Sequence, residues 1–162
     1  MFLKNLTLLS SVLATVPTLT SSLNISQSCD QYFDREERQK IDSKYASIYK
    51  QLYFLIDINF NNTIFYTKKN QTSVNEIGKY GDFVTAEQLG IDLNFNPQSF
   101  KTEKVEDFLG YKLTVDLNLI KLNLRIYKVD KEKGIVYTAK KIMYNDFCFY
   151  HKVALVIYGF KK

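Results

Sequence analysis

The chain has 162 residues, of which 46% are hydrophobic and 24% charged, and it carries a formal charge of +5. This balance excludes an intrinsically disordered chain, which would be poor in apolar residues, and the length suits one ordinary domain rather than several. A single histidine, with no GxSxG, Walker A, GxGxxG or HExxH pattern, removes two-histidine zinc sites and the commonest nucleotide and serine-hydrolase chemistries.

Residues 1 to 22 read as a signal peptide. Lys4 gives a basic start, Leu6 to Leu19 an apolar core, and Thr20, Ser21 and Ser22 the small residues expected near a cleavage point. Thr, Ser and Pro17 dilute the apolar run below what a spanning helix of about 20 residues wants, so a retained anchor is the weaker reading. A lipoprotein signal ending at Cys29 is weaker still, because Ser26, Gln27 and Ser28 lack the spacing it needs. Residues 23 to 162 are then expected as one secreted or surface-displayed domain. In an exported chain the two cysteines, Cys29 and Cys148, are expected to form a disulfide. The triplets at Asn24, Asn61 and Asn70 would accept N-glycans in a eukaryotic secretory route.

An amphipathic helix is expected first. Asp34 and Glu37 are spaced as a capping pair, and Ile41, Tyr45, Ile48, Leu52 and Leu55 recur at helical spacing to form one stripe. Thr63 to Thr67 reads as a strand. Lys68 to Phe100 is irregular, with a short capped helix at Thr85 to Gly90, and a second short helix is expected from Thr102 to Gly110. A ligand site, if the chain has one, is expected where this long loop region meets the sheet.

From Tyr111 onward apolar and polar residues alternate with the period of a half-buried strand. The phase slips near Ile120 and Lys121, which reads as a β-bulge or a bend in one long strand, with a break into two strands as the alternative. Asp130 to Gly134 and Tyr144 to Phe147 read as hairpin turns, and Ile135, Tyr137, Ala139 and Met143 share one face of the return strand. Cys148 to Phe160 reads as a central strand covered on both sides. The expected fold is therefore α+β: one N-terminal amphipathic helix packed on an antiparallel β-meander, with short helices in a long central loop region.

Charge supplies the functional lead. Residues 121 to 162 hold ten Lys and Arg against three Asp and Glu, whereas residues 1 to 120 hold 12 against 14. Lys121, Arg125, Lys128, Lys131, Lys133, Lys140 and Lys141 are the candidate basic contact patch, suited to an anionic protein, glycan or membrane surface. The plainer reading is a solvated face with lysines that discourage edge pairing. The 12 Tyr and 12 Phe have an equally plain explanation in compositional bias.

Cys148 and His151 are three apart, so on a strand they face opposite sides and make no nucleophile and base. The expectation is a secreted binding protein that is not an enzyme, needs no cofactor and meets no nucleic acid. A small toxin or inhibitor at anionic membranes is the second reading. A hydrolase drawing on carboxylates such as Asp57, Asp82, Asp92, Glu103 or Asp116 is the third.

Overall fold

A computed structural model describes residues 29 to 33 and 39 to 162. The chain divides into two units, 1 to 38 and 39 to 162. Of the first, only Cys29 to Phe33 is described, a single 3-10 turn over Asp30–Tyr32. The signal peptide, Asn24, Asp34 and Glu37 lie outside the described residues. Neither cysteine is free: Cys29 and Cys148 are disulfide-bonded. Closing a loop of more than 100 residues stabilises by up to about 4 to 5 kcal/mol in the chain-entropy account.

In the second unit, a 3-10 turn at Ser43–Tyr45 leads into helix α1, Ala46–Asn59. The helix starts later than the apolar stripe suggests, because side chains in the approach bond to the far hairpin. Gln39 Nε2 donates to the carbonyl of Cys148 (3.3 Å), and the Tyr45 hydroxyl donates to Asp146 (2.9 Å). Ile41 belongs to this non-helical approach but still packs on the core. Gln51, Leu52, Leu55 and Ile56 form the buried stripe of α1. The helix closes where Phe60 N donates to Ile56 O (2.8 Å).

Next come β1 (Ile64–Tyr66), α2 (Val74–Ile77), β2 (Phe83–Val84) and α3 (Ala86–Leu89). They are followed by α4 (Thr102–Leu109), β3 (Ile120–Asp130), β4 (Ile135–Tyr144) and β5 (Phe147–Tyr158). The local signals hold. Thr85 and Gln88 cap α3 reciprocally, and Gly90 and Gly110 end α3 and α4 in the left-handed conformation that glycine adopts without strain.

The five strands form one sheet in the order β1-β5-β4-β3-β2. β3, β4 and β5 make the expected antiparallel meander, and β2 adds antiparallel to β3. β1 instead pairs parallel to β5, so the sheet is mixed. The β3–β4 hairpin turns at Gly134 (φ +67), whose carbonyl accepts from Phe160 N (3.1 Å). The β4–β5 hairpin turns on Asn145, the one non-glycine residue with positive φ among those described.

Residues 111 to 119 do not extend β3. Their backbone amides are captured by side chains before a neighbouring strand can pair with them. Fully buried Gln51 accepts through Oε1 from Thr114 N (2.8 Å) and Val115 N (3.2 Å). Glu106 accepts from Leu113 N, and the Tyr144 hydroxyl from Asp116 N (2.9 Å). Asp116 then accepts from Asn118 N and starts a 3-10 turn over Leu117–Leu119. The slip in alternation therefore marks the entry to β3. The bulge itself lies between Ile126 and Lys128.

Register separates two faces. On the inner one, Leu122, Leu124 and Ile126 stand beside Ile142, Lys140 and Thr138, and these beside Phe149, His151 and Leu155. Tyr49 of α1 packs edge-on against Phe149, its centroid 4.9 Å away. The outer face carries Arg125, Ala139, Lys141 and Met143, then Tyr137 and Tyr158. Ile135, Tyr137, Ala139 and Met143 thus share the outer face, and α1 covers the other. β5 is an interior strand, between β1 and β4, but Lys152 and Val153 at its irregularity are exposed, so the strand is not covered on both sides along its length.

Candidate functional site

Six of the seven candidate basic residues lie on the outer face or at the hairpin tip, and the seventh does not. Lys121 and Lys128 are exposed on β3, and Lys131 and Lys133 are exposed in the β3–β4 turn. Arg125 is half-buried: Nε donates to Gly81 O (2.8 Å), Nη1 donates to the Tyr150 hydroxyl (3.2 Å), and the guanidinium lies 5.1 Å from the Phe83 ring centre. Lys141 is buried with its ammonium 5.5 Å from the same ring. Lys140 lies on the inner face and is 1% exposed.

Strand pleating assembles a feature the charge pattern does not reveal. Tyr66 on β1 pairs with Tyr158 on β5, ring centres 5.7 Å apart. Tyr137 on β4 is opposite Val156, hence diagonal to Tyr158 at the roughly 7 to 8 Å usual for such neighbours. Tyr127, the extra residue of the β3 bulge, brings its ring within 5.8 Å of Tyr137. Four tyrosines therefore cross four adjacent strands in one row. Lys128 sets its ammonium 5.1 Å from the Tyr137 ring centre, a cation–π contact.

The row is open to solvent where it matters. Tyr66 is 75% exposed and its neighbour Ile64 55%, while burial holds the Tyr127 hydroxyl above its ordinary pKa. Asn61 and Asn70, both exposed, flank β1 on either side. The sequence signal for this row is weak: each tyrosine sits on a different strand, and only the register brings them together.

The inner face holds the second unusual cluster. Lys140 and His151 are cross-strand neighbours beneath α1. His151, 3% exposed, stacks on Tyr53 (4.5 Å, 20°), and its Nδ1 accepts from Val153 N (3.3 Å) in an irregularity of β5. The ring proton is thereby placed on Nε2, which faces Asp57 Oδ1 of α1 at 3.7 Å and makes no hydrogen bond. Burial, then the adjacent Lys140 charge, lowers the His151 pKa to about 4 against the pull of Asp57. Burial likewise lowers Lys140 to about 8, again opposed by Asp57. Its ammonium lies 5.5 Å from the Phe60 ring centre.

A lysine that loses its proton near pH 8 is chemically a nucleophile toward carbonyls. Here α1 and Phe60 seal it, so no substrate reaches Nζ in this conformation. The cluster also offers only two metal-donor types, and no group of three His, Cys, Asp or Glu is gathered among the described residues. Cys148 and His151 do face opposite sides, as their register partners Met143 and Lys140 require.

The carboxylates considered for hydrolysis are separately engaged. Asp57 faces His151, and Asp82 accepts from Lys79 N (2.9 Å). Asp92 pairs with Lys68 (2.7 Å), Asp116 caps a turn, and Glu103 stands in the first turn of α4. Where the long loop meets the sheet, there is a cleft of about 480 Å³ lined by Asn75, Gly78, Lys79, Tyr80, Asp82, Val129 and Lys131.

No family model, curated protein or solved structure matches the chain. No helix among the described residues is long and apolar enough to cross a membrane. A functional reading therefore rests on the surfaces themselves.

Proposed function

We propose that this protein is an exported, non-enzymatic binding module whose contact surface is the outer face of its sheet, and whose ligand is an extended anionic glycan. The observation that carries this is the row Tyr66, Tyr158, Tyr137 and Tyr127, with Lys128 against it. The C–H faces of sugar rings are weakly positive and stack on the negative faces of tyrosines, while the phenol hydroxyls bond to sugar hydroxyls. The cations of Lys128 and of the hairpin lysine Lys133 suit the carboxylates or sulfates of such a chain. The disulfide fits an oxidising compartment.

The test is retention of the oxidised protein on heparin. Retention is expected at low salt, to weaken as screening rises, and to be lost both in Lys128→Glu with Lys133→Glu and in Tyr66→Ala with Tyr158→Ala. Equal retention of both double variants and the wild type would overturn the proposal. So would binding to anionic liposomes with none to heparin, which would favour the membrane reading.

A further inference from the structure

We infer that the cleft between the α2–β2 loop and the end of β3 is a second, separate binding site, for a small organic anion that joins a phosphate or carboxylate to a flat ring. Its volume of about 480 Å³ falls within the range of small-molecule sites, roughly 300 to 1,000 Å³. It lies apart from the tyrosine row: Val129 is paired with Val136 and packs on the core beneath the sheet, whereas the row stands on the outer face.

The wall is built before any ligand arrives. Gly81 N donates to Ile126 O (2.7 Å) and Ile126 N to Asp82 O (2.8 Å), so the loop is laced to β3 by its backbone. Lys79 N donates to Asp82 Oδ2 (2.9 Å), and Asp82 N returns a bond to Lys79 O (3.0 Å). Gly78 has φ +151, and a Cβ there would meet Ile126 Cδ1 at 2.9 Å, so the loop lies against β3 as closely as a residue without a side chain allows. Such a wall loses little entropy on binding.

The lining sets the ligand class. Its charged side chains are Lys79, Lys131 and Asp82, and the Asp82 carboxylate is already drawn toward the Lys79 amide. Two ammonium groups, one from the loop and one from the β3–β4 turn, therefore leave a surplus of positive charge. Val129 and the ring of Tyr80, 54% exposed, supply apolar surface, and the Asn75 amide both donates and accepts. Two cations with one aromatic ring match an anion that carries a flat apolar body. A bare inorganic anion would leave the ring and Val129 wet.

The experiment is amide NMR titration of the oxidised, isotope-labelled chain with phenyl phosphate, benzoate, inorganic phosphate and phenol. Phenyl phosphate or benzoate is expected to give saturable shifts at Gly78, Lys79, Tyr80 and Val129, and to bind more tightly than either inorganic phosphate or phenol. Lys79→Gln with Lys131→Gln is expected to weaken binding by roughly tenfold or more, as the loss of charge-assisted contacts implies. Tyr80→Leu should weaken it severalfold while leaving the remaining amide spectrum in place. Absence of saturable shifts at these amides, an unchanged affinity in the lysine variant, or phenol binding as tightly as phenyl phosphate would each overturn the inference. Shifts confined to Tyr66, Tyr137 and Tyr158 would overturn it as well, by assigning the probe to the outer face.

Discussion

The two faces of one sheet reverse the usual arrangement. The inner face, packed under α1, contains a lysine and a histidine with almost no exposure, while the outer face leaves Tyr66 and Ile64 largely in water. A buried ammonium without a close carboxylate costs stability, and exposed aromatic rings forgo the stabilisation of burial. The first departure sits in a continuous core that includes Leu52, Leu55, Ile142 and Phe149, the last two standing two residues along their strands from Lys140 and His151. The second has no counterpart in packing, and it is there that a function is most economically placed.

The contrast can be broken most forcefully by truncating one ring on each face. Phe149→Ala is expected to cost about 3 to 5 kcal/mol, as for other buried aromatics, whereas Tyr66→Ala should stay within about 0.5 kcal/mol. Urea unfolding of the two variants checks this, and comparable losses would abolish the distinction.

Acid probes the inner face next. His151 has its pKa lowered from 6.5 to about 4, so between those values the unfolded chain binds more protons than the folded one. Stability is therefore full above about pH 6.5 and falls as pH drops toward 4, by roughly 2 to 3 kcal/mol from this residue. His151→Phe, which retains a ring against Tyr53, should remove that part of the slope; identical pH profiles for the two proteins would contradict it.

Lys140→Met sharpens the same point. The wild-type ammonium is held at a pKa of about 8 rather than 10.5, so its penalty is complete below pH 8 and vanishes as pH rises through 10.5. The variant should be more stable at pH 7 by roughly 1 to 3 kcal/mol, with the gain shrinking at high pH. Thermal unfolding at pH 7 and pH 10 separates this from a simple packing change, which would not vary with pH. The smallest effect is expected for Lys128→Ala, within about 0.5 kcal/mol in stability.

Much of this architecture is legible where the cause is local. The Thr85 and Gln88 cap, the glycine that ends α4, and the turn at Gly134 each depend on residues a few positions apart. The extended reading of 111 to 119 misses because its amides answer to Gln51, more than 60 residues earlier, and that competition leaves no trace in alternation. The parallel addition of β1 to β5 is equally distant in sequence.

Charge alone groups Lys140 with the surface lysines. Its phase is that of Val136, Thr138, Ile142 and Tyr144, all buried on the inner face, so the alternation does hold the signal once the buried face is identified. The tyrosine row has no such signal, since it is defined by four strands in register. The cleft, by contrast, lies where the long loop region meets the sheet.

Tyrosine footprinting with hydroxyl radicals, in the presence and absence of a heparin oligosaccharide, addresses the glycan-binding face most directly. Protection of Tyr66, Tyr137 and Tyr158 with unchanged reactivity of Tyr111, exposed elsewhere, is the predicted result. Unaltered oxidation of Tyr66 and Tyr158 under saturating oligosaccharide would contradict it.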